Sequence, residues 1–280
     1  MRLIPAAPEK ATVVIGYTIE KSDNPAITRK FLETVYAVHT EADLPATFFL
    51  LGKSIETNLA DLKRFAGNPL FGFAQHTWSH VAFKDIDERR HDGTSVHLPG
   101  VPPERAREEV ERTSRFIADI FGRACRGVEG ARGYHLGLQD RPDLVKILLD
   151  AGLEYSVTWC RNADGWNPTP LSAQPHWYDI GQEKALLEIP NQGWQDAAWI
   201  KEYGAGSAAG YYSFCHDLLA EAKQTGKTLS FIMHDWTNRE WDASFAHTLK
   251  LYETAQEAGV AITNFEAFCD QRHASFWNAA

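Results

Sequence analysis

Phe73-Ala74-Gln75-His76-Thr77-Trp78-Ser79-His80 is the stretch that decides how this chain is read. A short apolar run, a strand over residues 72–75, gives way at once to a polar turn with two histidines four residues apart. Neutral imidazole is the commonest protein ligand for a divalent transition metal. Two of them at this spacing can hold one ion if the turn between them is tight. Such a pair also arises by chance in a chain with eleven histidines. A thermolysin-like zinc motif needs glutamate directly after the first histidine, and here that residue is Thr77.

The same strand-then-polar-turn pattern recurs on both sides. Residues 12–19 are apolar and β-branched, and residues 46–52 form a buried run closed by glycine; both read as strands. Further strands are expected near 126–129, 155–159, 185–189, 228–233 and 260–263. Between them, apolar residues recur at helical spacing over 28–39, 55–66, 103–121, 142–151, 212–225 and 245–258. Residues 87–103 are polar and rich in Gly, Pro and His, and predict a long loop of the kind that covers a pocket. Alternation through the whole length implies an α/β fold, a parallel sheet with helices outside. Seven or eight such units without a linker predict one barrel-like domain over residues 1–280, with 1–11 and 270–280 as peripheral termini. Catalytic residues of such a barrel lie just after the strands.

The bulk numbers exclude some classes of partner. A net charge of −9 argues against nucleic acid or an anionic membrane surface, but not against a carbohydrate or another small molecule. Cys125, Cys160, Cys215 and Cys269 are scattered and read as reduced core residues. Residues 1–10 lack the apolar core of a signal peptide, so a cytoplasmic location is expected, secretion requiring a leader already removed. Nine tryptophans exceed the needs of a core, and Trp78, Trp166, Trp177, Trp194, Trp236 and Trp241 sit in polar surroundings. Two or three are expected to line a groove, where indole faces stack on sugar rings.

Read in order, the strand ends give Thr18-Ile19-Glu20-Lys21-Ser22-Asp23, His76 with His80, Arg132, Asp164, and His234-Asp235. Together with Ala46-Thr47-Phe48-Phe49-Leu50-Leu51-Gly52, Leu187-Glu188-Ile189-Pro190 and Ser230-Phe231-Ile232-Met233-His234-Asp235, this pattern resembles the polysaccharide deacetylase family, carbohydrate esterase family four. The likeness runs from about Thr12 to Phe268, and marks the chain as a divergent member. It implies a distorted (β/α) barrel that removes acetyl groups from amino sugars or acetylated polysaccharides. It also implies one divalent metal on a carboxylate and the two histidines, His76 and His80, with His234 as general acid. Zinc suits that donor set, and nickel, cobalt or iron accept it.

The departures from the family pattern are specific. The family opens with adjacent aspartates after the first strand, one a base and one a ligand, whereas here Glu20 is the carboxylate at that place. In the Asp-x-Asp register Thr18 falls at the base position and Glu20 at the ligand. In the Asp-Asp register Glu20 is the base and Lys21 the ligand, a poor one. Glu20 is preferred as the ligand, with Asp23 the nearest base. The arginine motif survives only loosely around Arg132, without its proline, so Arg132 is expected to hold Glu129 or a substrate carboxylate. His234 is expected to draw its charge from Asp235 or Asp164. Trp78, Tyr134, His135, Trp166, Trp194 and Trp236 are the expected substrate contacts.

The resemblance leaves three activities open. A metal-dependent deacetylase of an acetylated sugar is the first. An allantoinase-like hydrolase of cyclic amides is the second, and it suits a small cytoplasmic substrate. A barrel that binds carbohydrate without hydrolysis is the third, motivated by the missing aspartate pair. Metal identity, acyl group and oligomeric state are not written in these motifs.

Overall fold

A computed structural model of the protein describes residues 1–8 and 10–278. Its strands are β1 (Arg2–Pro5), β2 (Thr12–Ile19), β3 (Ala46–Leu50), β4 (Phe71–Gln75), β5 (Ile86–Arg89), β6 (Ser95–Leu98), β7 (Gly127–His135), β8 (Tyr155–Arg161), β9 (His176–Asp179), β10 (Leu186–Glu188), β11 (Thr228–His234) and β12 (Ala261–Asn264). The helices are α1 (Pro25–Glu41), α2 (Gly52–Lys63), α3 (Pro103–Phe121), α4 (Pro142–Asp150), α5 (Asp196–Tyr203), α6 (Ala208–Thr225), α7 (Asp235–Trp241), α8 (Ala246–Glu257) and α9 (Phe265–Asn278).

The main sheet runs β1-β9-β10-β8-β7-β4-β3-β2-β11, with β12 also pairing β2, ten strands among the described residues. β2, β3, β4, β7, β8, β10, β11 and β12 pair in parallel. The remaining two, β9 and β1, are antiparallel additions at one edge. The residues at 1–11, expected to be a peripheral terminus, thus supply an edge strand. The expected loop at 87–103 is in large part an ordered antiparallel ribbon of β5 and β6. Its polar alternation hides it, because a ribbon off the main sheet buries one face at most.

No ladder joins the two ends of the sheet path among the described residues. Two side-chain amides bridge that seam instead. Gln174 accepts from Thr228 N at 2.9 Å and donates to Thr228 O at 3.0 Å. Gln192 accepts from Ser230 N at 3.0 Å and donates to Ala173 O at 2.6 Å. Each amide reproduces the donor and acceptor of a peptide unit, so the β11 edge is satisfied without a further strand.

Alternate residues of the strands separate two apolar clusters. Val13, Ile15 and Tyr17 face the helices, while Val14, Phe49, Ala74, Val157, Leu187 and Ile232 cluster on the other face with Phe265, Phe268 and Cys269 of α9. That helix closes the N-terminal end of the strands. At Gly16 an added Cβ would lie 2.8 Å from the Phe49 ring and 2.9 Å from the Phe265 ring, so the close approach requires glycine. The opposite, C-terminal end stays open as a rim.

Candidate functional site

The rim gathers side chains from β4, β7, β11 and the loop after β2. Glu20, His76 and His80 present ligand-type atoms all within 4.8 Å of one another. Glu20 Oε2 lies 3.0 Å from His80 Nε2 and 3.7 Å from His76 Nε2. The turn that brings the two histidines together is not helical. Thr77 and His80 both take left-handed backbone angles, each with φ 61°, unfavourable for a β-branched residue such as Thr77. Glu109 of α3 holds that strain. Its carboxylate accepts from Trp78 N at 2.9 Å, Ser79 N at 2.8 Å and Ser79 Oγ at 2.8 Å. Residues in strained conformations persist only where their surroundings over-determine them.

His76 is almost fully buried. Its Nδ1–H donates to the Glu129 carbonyl at 3.0 Å, and Nε2 has no hydrogen-bond partner. A ring fixed in this way turns Nε2 toward the ligand-type atoms of Glu20 and His80. An orphaned buried nitrogen beside an imidazole and a carboxylate fits a divalent cation with three protein ligands. Burial opposes charge on His76, but the Glu129 and Glu20 carboxylates outweigh it and lift its pKa to about 9. Burial, helped by the His76 charge, lowers the pKa of His80 despite its bond to Glu20. Glu20 is held well below the usual carboxylate range: burial opposes this, but His234, His76 and His80 prevail.

His234 closes the other side of Glu20, its Nε2 lying 3.7 Å from Glu20 Oε1. Its Nδ1 bonds Asp196 Oδ1 at 2.5 Å, and its backbone N donates to Asp196 Oδ2 at 2.8 Å. Burial opposes charge on this imidazole too, yet Asp196 and Glu20 raise its pKa to about 10. The Trp236 indole donates to Glu20 Oε1 at 2.9 Å. Across the site Glu129 Oε2 accepts from Thr18 Oγ1 at 2.7 Å, and Oε1 has no hydrogen bond within the protein among the described residues.

Glu20, His76, His80, Glu129, His234 and Trp236 line a cavity of about 240 Å³ together with Arg132, Arg161, Trp166, Asn191, Gln195 and Lys201. Ligand pockets for drug-sized molecules span roughly 300–1,000 Å³, so this one suits a single ring.

Residues 10–155, just over half of the chain, match the family model described as polysaccharide deacetylase. The chain belongs to the polysaccharide deacetylase family. No curated protein matches the sequence. Among solved structures, a protein assigned as a polysaccharide deacetylase from Mycobacterium smegmatis is 15% identical with a TM-score of 0.72, covering 98% of this chain and 96% of its own. Puue allantoinase is 13% identical with a TM-score of 0.71, over 94% of this chain and 90% of its own. A family pseudoenzyme from Bacillus anthracis is 15% identical with a TM-score of 0.55, over 94% of this chain and 66% of its own. At these identities the neighbours speak for the fold alone. No helix among the described residues is long and apolar enough to cross a membrane.

Set in this deacetylase-family fold, several expected site residues stand elsewhere. Asp23 points to solvent with 74% of its side chain exposed and pairs with Lys21, outside the cavity lining. Asp235, expected beside the His234 ring, turns the other way to accept from the Thr28 hydroxyl; burial, partly offset by that bond, lifts its pKa to about 6. Asp164 is exposed. Trp78 packs on Phe116 under the Arg112 guanidinium, 3.5 Å from its ring centre. Tyr134 is buried and accepts from Phe83 N at 2.7 Å. Trp194 packs among Trp166, Trp199 and Tyr203. His135 borders a second cavity with Asp85, Asp87 and Gln139. Arg132, Trp166 and Trp236 do line the rim cavity, although the Trp236 indole N–H is committed to Glu20.

Sequence reasoning missed Asp196 and Glu109 altogether. Asp196 follows a Gly-Trp-Gln segment and stands seven residues past the expected strand at 185–189, too far to be read as a strand-end residue. Glu109 had a signal: it lies on the buried stripe Ala106, Glu109, Val110, Thr113 and Ile117 of α3. A carboxylate on an apolar stripe needs a partner inside.

Proposed function

We propose that this protein is a hydrolase that removes the acetyl group from an acetylated amino sugar, with a divalent cation, zinc by preference, held by Glu20, His76 and His80. The single observation that carries the reading is the orphaned His76 Nε2, buried and facing Glu20 and His80. When bound, a cation supplies Lewis-acid polarisation of the acyl oxygen and acidifies a bound water.

The chain's own groups account for the proton movements. Glu129 faces the cavity with a free oxygen, near Thr18, which stands at the family's base position. Glu129 takes the proton from the attacking water as its oxygen joins the acyl carbon. His234 holds a proton at Nε2, kept there by Asp196 at Nδ1. It gives that proton to the amine nitrogen as the C–N bond breaks, leaving acetate and a free amine. Trp236 orients Glu20 and excludes water from one side of it.

A second reading, hydrolysis of a cyclic amide, is supported by the small size of the cavity. The test is acetate release from N-acetylglucosamine and chitooligosaccharides beside ring opening of allantoin, each with chelator and with added zinc. Zinc-dependent acetate release is the expected result, and zinc-dependent ring opening alone selects the second reading. Sugar binding without turnover of either, unaffected by chelator, sinks both and leaves a carbohydrate-binding barrel.

A further inference from the structure

One wall of the rim cavity is positively charged, against the grain of a chain with net charge −9. Arg132 and Lys201 both line the cavity, and neither side chain has a hydrogen bond or carboxylate partner among the described residues. The acids near them are already committed. Glu88 is shared between Arg161 at 3.0 Å and Arg90 at 3.1 Å. Glu202 accepts from the Trp166 indole at 3.0 Å and lies 3.2 Å from His91. Burial, reinforced by Arg90, Arg132 and Arg161 and opposed by Glu88, lowers the pKa of Lys201.

The wall is also built to keep Arg132 where it is. Arg132 takes a left-handed backbone with φ 70°. The buried Arg161 pins that kink by donating to Arg132 O at 2.8 Å and Gly133 O at 2.9 Å. Arg132 and Lys201 are both exposed residues at the edge of the cavity, and the irregular stretch of β7 between Glu129 and Tyr134 carries the kink that sets Arg132 there. Asn191 and Gln195 add amide groups to the same lining. The remaining cavity acids, Glu20 and Glu129, lie on the far side among the histidines.

We propose that the substrate is an acid: a carboxylate on the sugar ring or its immediate substituent binds between Arg132 and Lys201 while the scissile amide lies at Glu20, His76 and His80. This inference rests on the hydrolase reading above. The planar guanidinium of Arg132 matches a carboxylate with two donors, and Lys201 adds a point charge. A cavity of about 240 Å³ places both ends on one ring or its substituent, not on distant units of a polymer.

Two measurements test it. The first is calorimetric binding of glucuronate and glucose to wild type, Arg132→Gln, Lys201→Gln and the double variant. Glucuronate should bind at least tenfold more tightly than glucose, each single variant should weaken it several-fold, and the double variant should erase the preference. The second is the ratio of kcat/KM for acetate release from N-acetylglucosaminuronic acid and N-acetylglucosamine, expected above ten in wild type and near one in the double variant. Equal affinities, no glucuronate binding, or a preference that survives the double substitution overturns the inference. Acetate release without charge preference overturns it while leaving the hydrolase reading intact. Glucuronate binding that depends on both cations, without release from either sugar, keeps the anion site and removes the hydrolase.

Discussion

The two ends of the sheet's strands carry similar residues and put them to different use. At the rim, Glu20, His76 and His80 bring their donors together; at the floor, Glu154, Cys269 and His273 do the same, within the same 4.8 Å. The floor carboxylate is already taken, with Arg126 2.7 Å from Glu154 and 2.5 Å from Asp270. Burial raises the Cys269 thiol pKa, so the ligand form is disfavoured there. At the rim no arginine touches Glu20, and a cavity leads to it. Ligand-type residues within reach are therefore common. His273 Nε2 at the floor is as unpartnered as His76 Nε2, so a carboxylate clear of arginine and a cavity leading to it are what separate a candidate site from a packed polar cluster.

The most damaging test of that contrast removes donors from each end. Glu20→Ala and His76→Ala should each abolish about one equivalent of bound zinc. Losing several kcal/mol of charge stabilisation corresponds to roughly 10³-fold or more in kcat/KM. Cys269→Ala should leave both zinc content and rate in place. Metal analysis showing the reverse would move the centre to the floor.

A somewhat smaller effect is expected at the proton donor. Asp196→Asn should cost roughly 10²-fold in kcat while bound zinc stays near one equivalent, since positioned acid catalysis is worth about 10²–10⁴. The basic limb of its pH–rate profile should move to lower pH, because the raised pKa of His234 depends on that carboxylate. An unmoved limb would remove Asp196 from the mechanism.

Buried histidine in the two regions gives a third comparison. His39, at the floor end of α1, has only Tyr17 Oη at 2.8 Å and Leu44 O at 2.9 Å for partners. Burial, opposed by the Leu44 bond, drops its pKa to about 4. The unfolded chain binds this proton below about pH 6.5 and the folded one does not, so stability is full above that value. It is lost as pH falls toward 4, by roughly 3 kcal/mol. Urea unfolding at pH 7 and at pH 4 should show the wild-type advantage over His39→Gln shrinking by about that amount. A constant difference would mean that the folded chain binds the His39 proton as readily as the unfolded one.

The smallest expected effect is at the turn. Glu109→Gln leaves a side chain of the same size but weakens the bonds to Trp78 N, Ser79 N and Ser79 Oγ. Outer-shell changes of this kind cost about 10–100-fold in metal affinity. Zinc affinity from a competing chelator measures this, with a far-ultraviolet spectrum to check the fold.

Much of this fold was legible from local pattern. The runs at 12–19 and 228–233, and 46–50 of the run at 46–52, emerge as strands because a parallel strand covered on both faces must be continuously apolar, while Gly52 opens α2. The ribbon at 86–98 and β1 escaped for the converse reason, being short and largely exposed, and the buried β9 escaped because its four residues are too short a run to show a period. Within the candidate site, Glu20, His76 and His234 stood out because each directly follows or ends an apolar strand, where a polar residue has a position but no core to join, and His80 stood out by its four-residue spacing from His76. What the sequence by itself determined is therefore the order of strands and helices and the chemistry each strand end carries.

Only tertiary structure decided which carboxylate serves which histidine. Asp235 is next to His234 in the chain, yet successive residues at the β11–α7 junction point apart, and its carboxylate goes to Thr28. Asp196, thirty-eight residues away, arrives through the start of α5. Glu109 and Arg161 likewise act at a distance, pinning strained backbone at Thr77, His80 and Arg132 that no local preference would choose. Ion pairs and hydrogen bonds depend on angstroms in space, and chain separation carries almost no information about those distances once the sheet has brought its strand ends together.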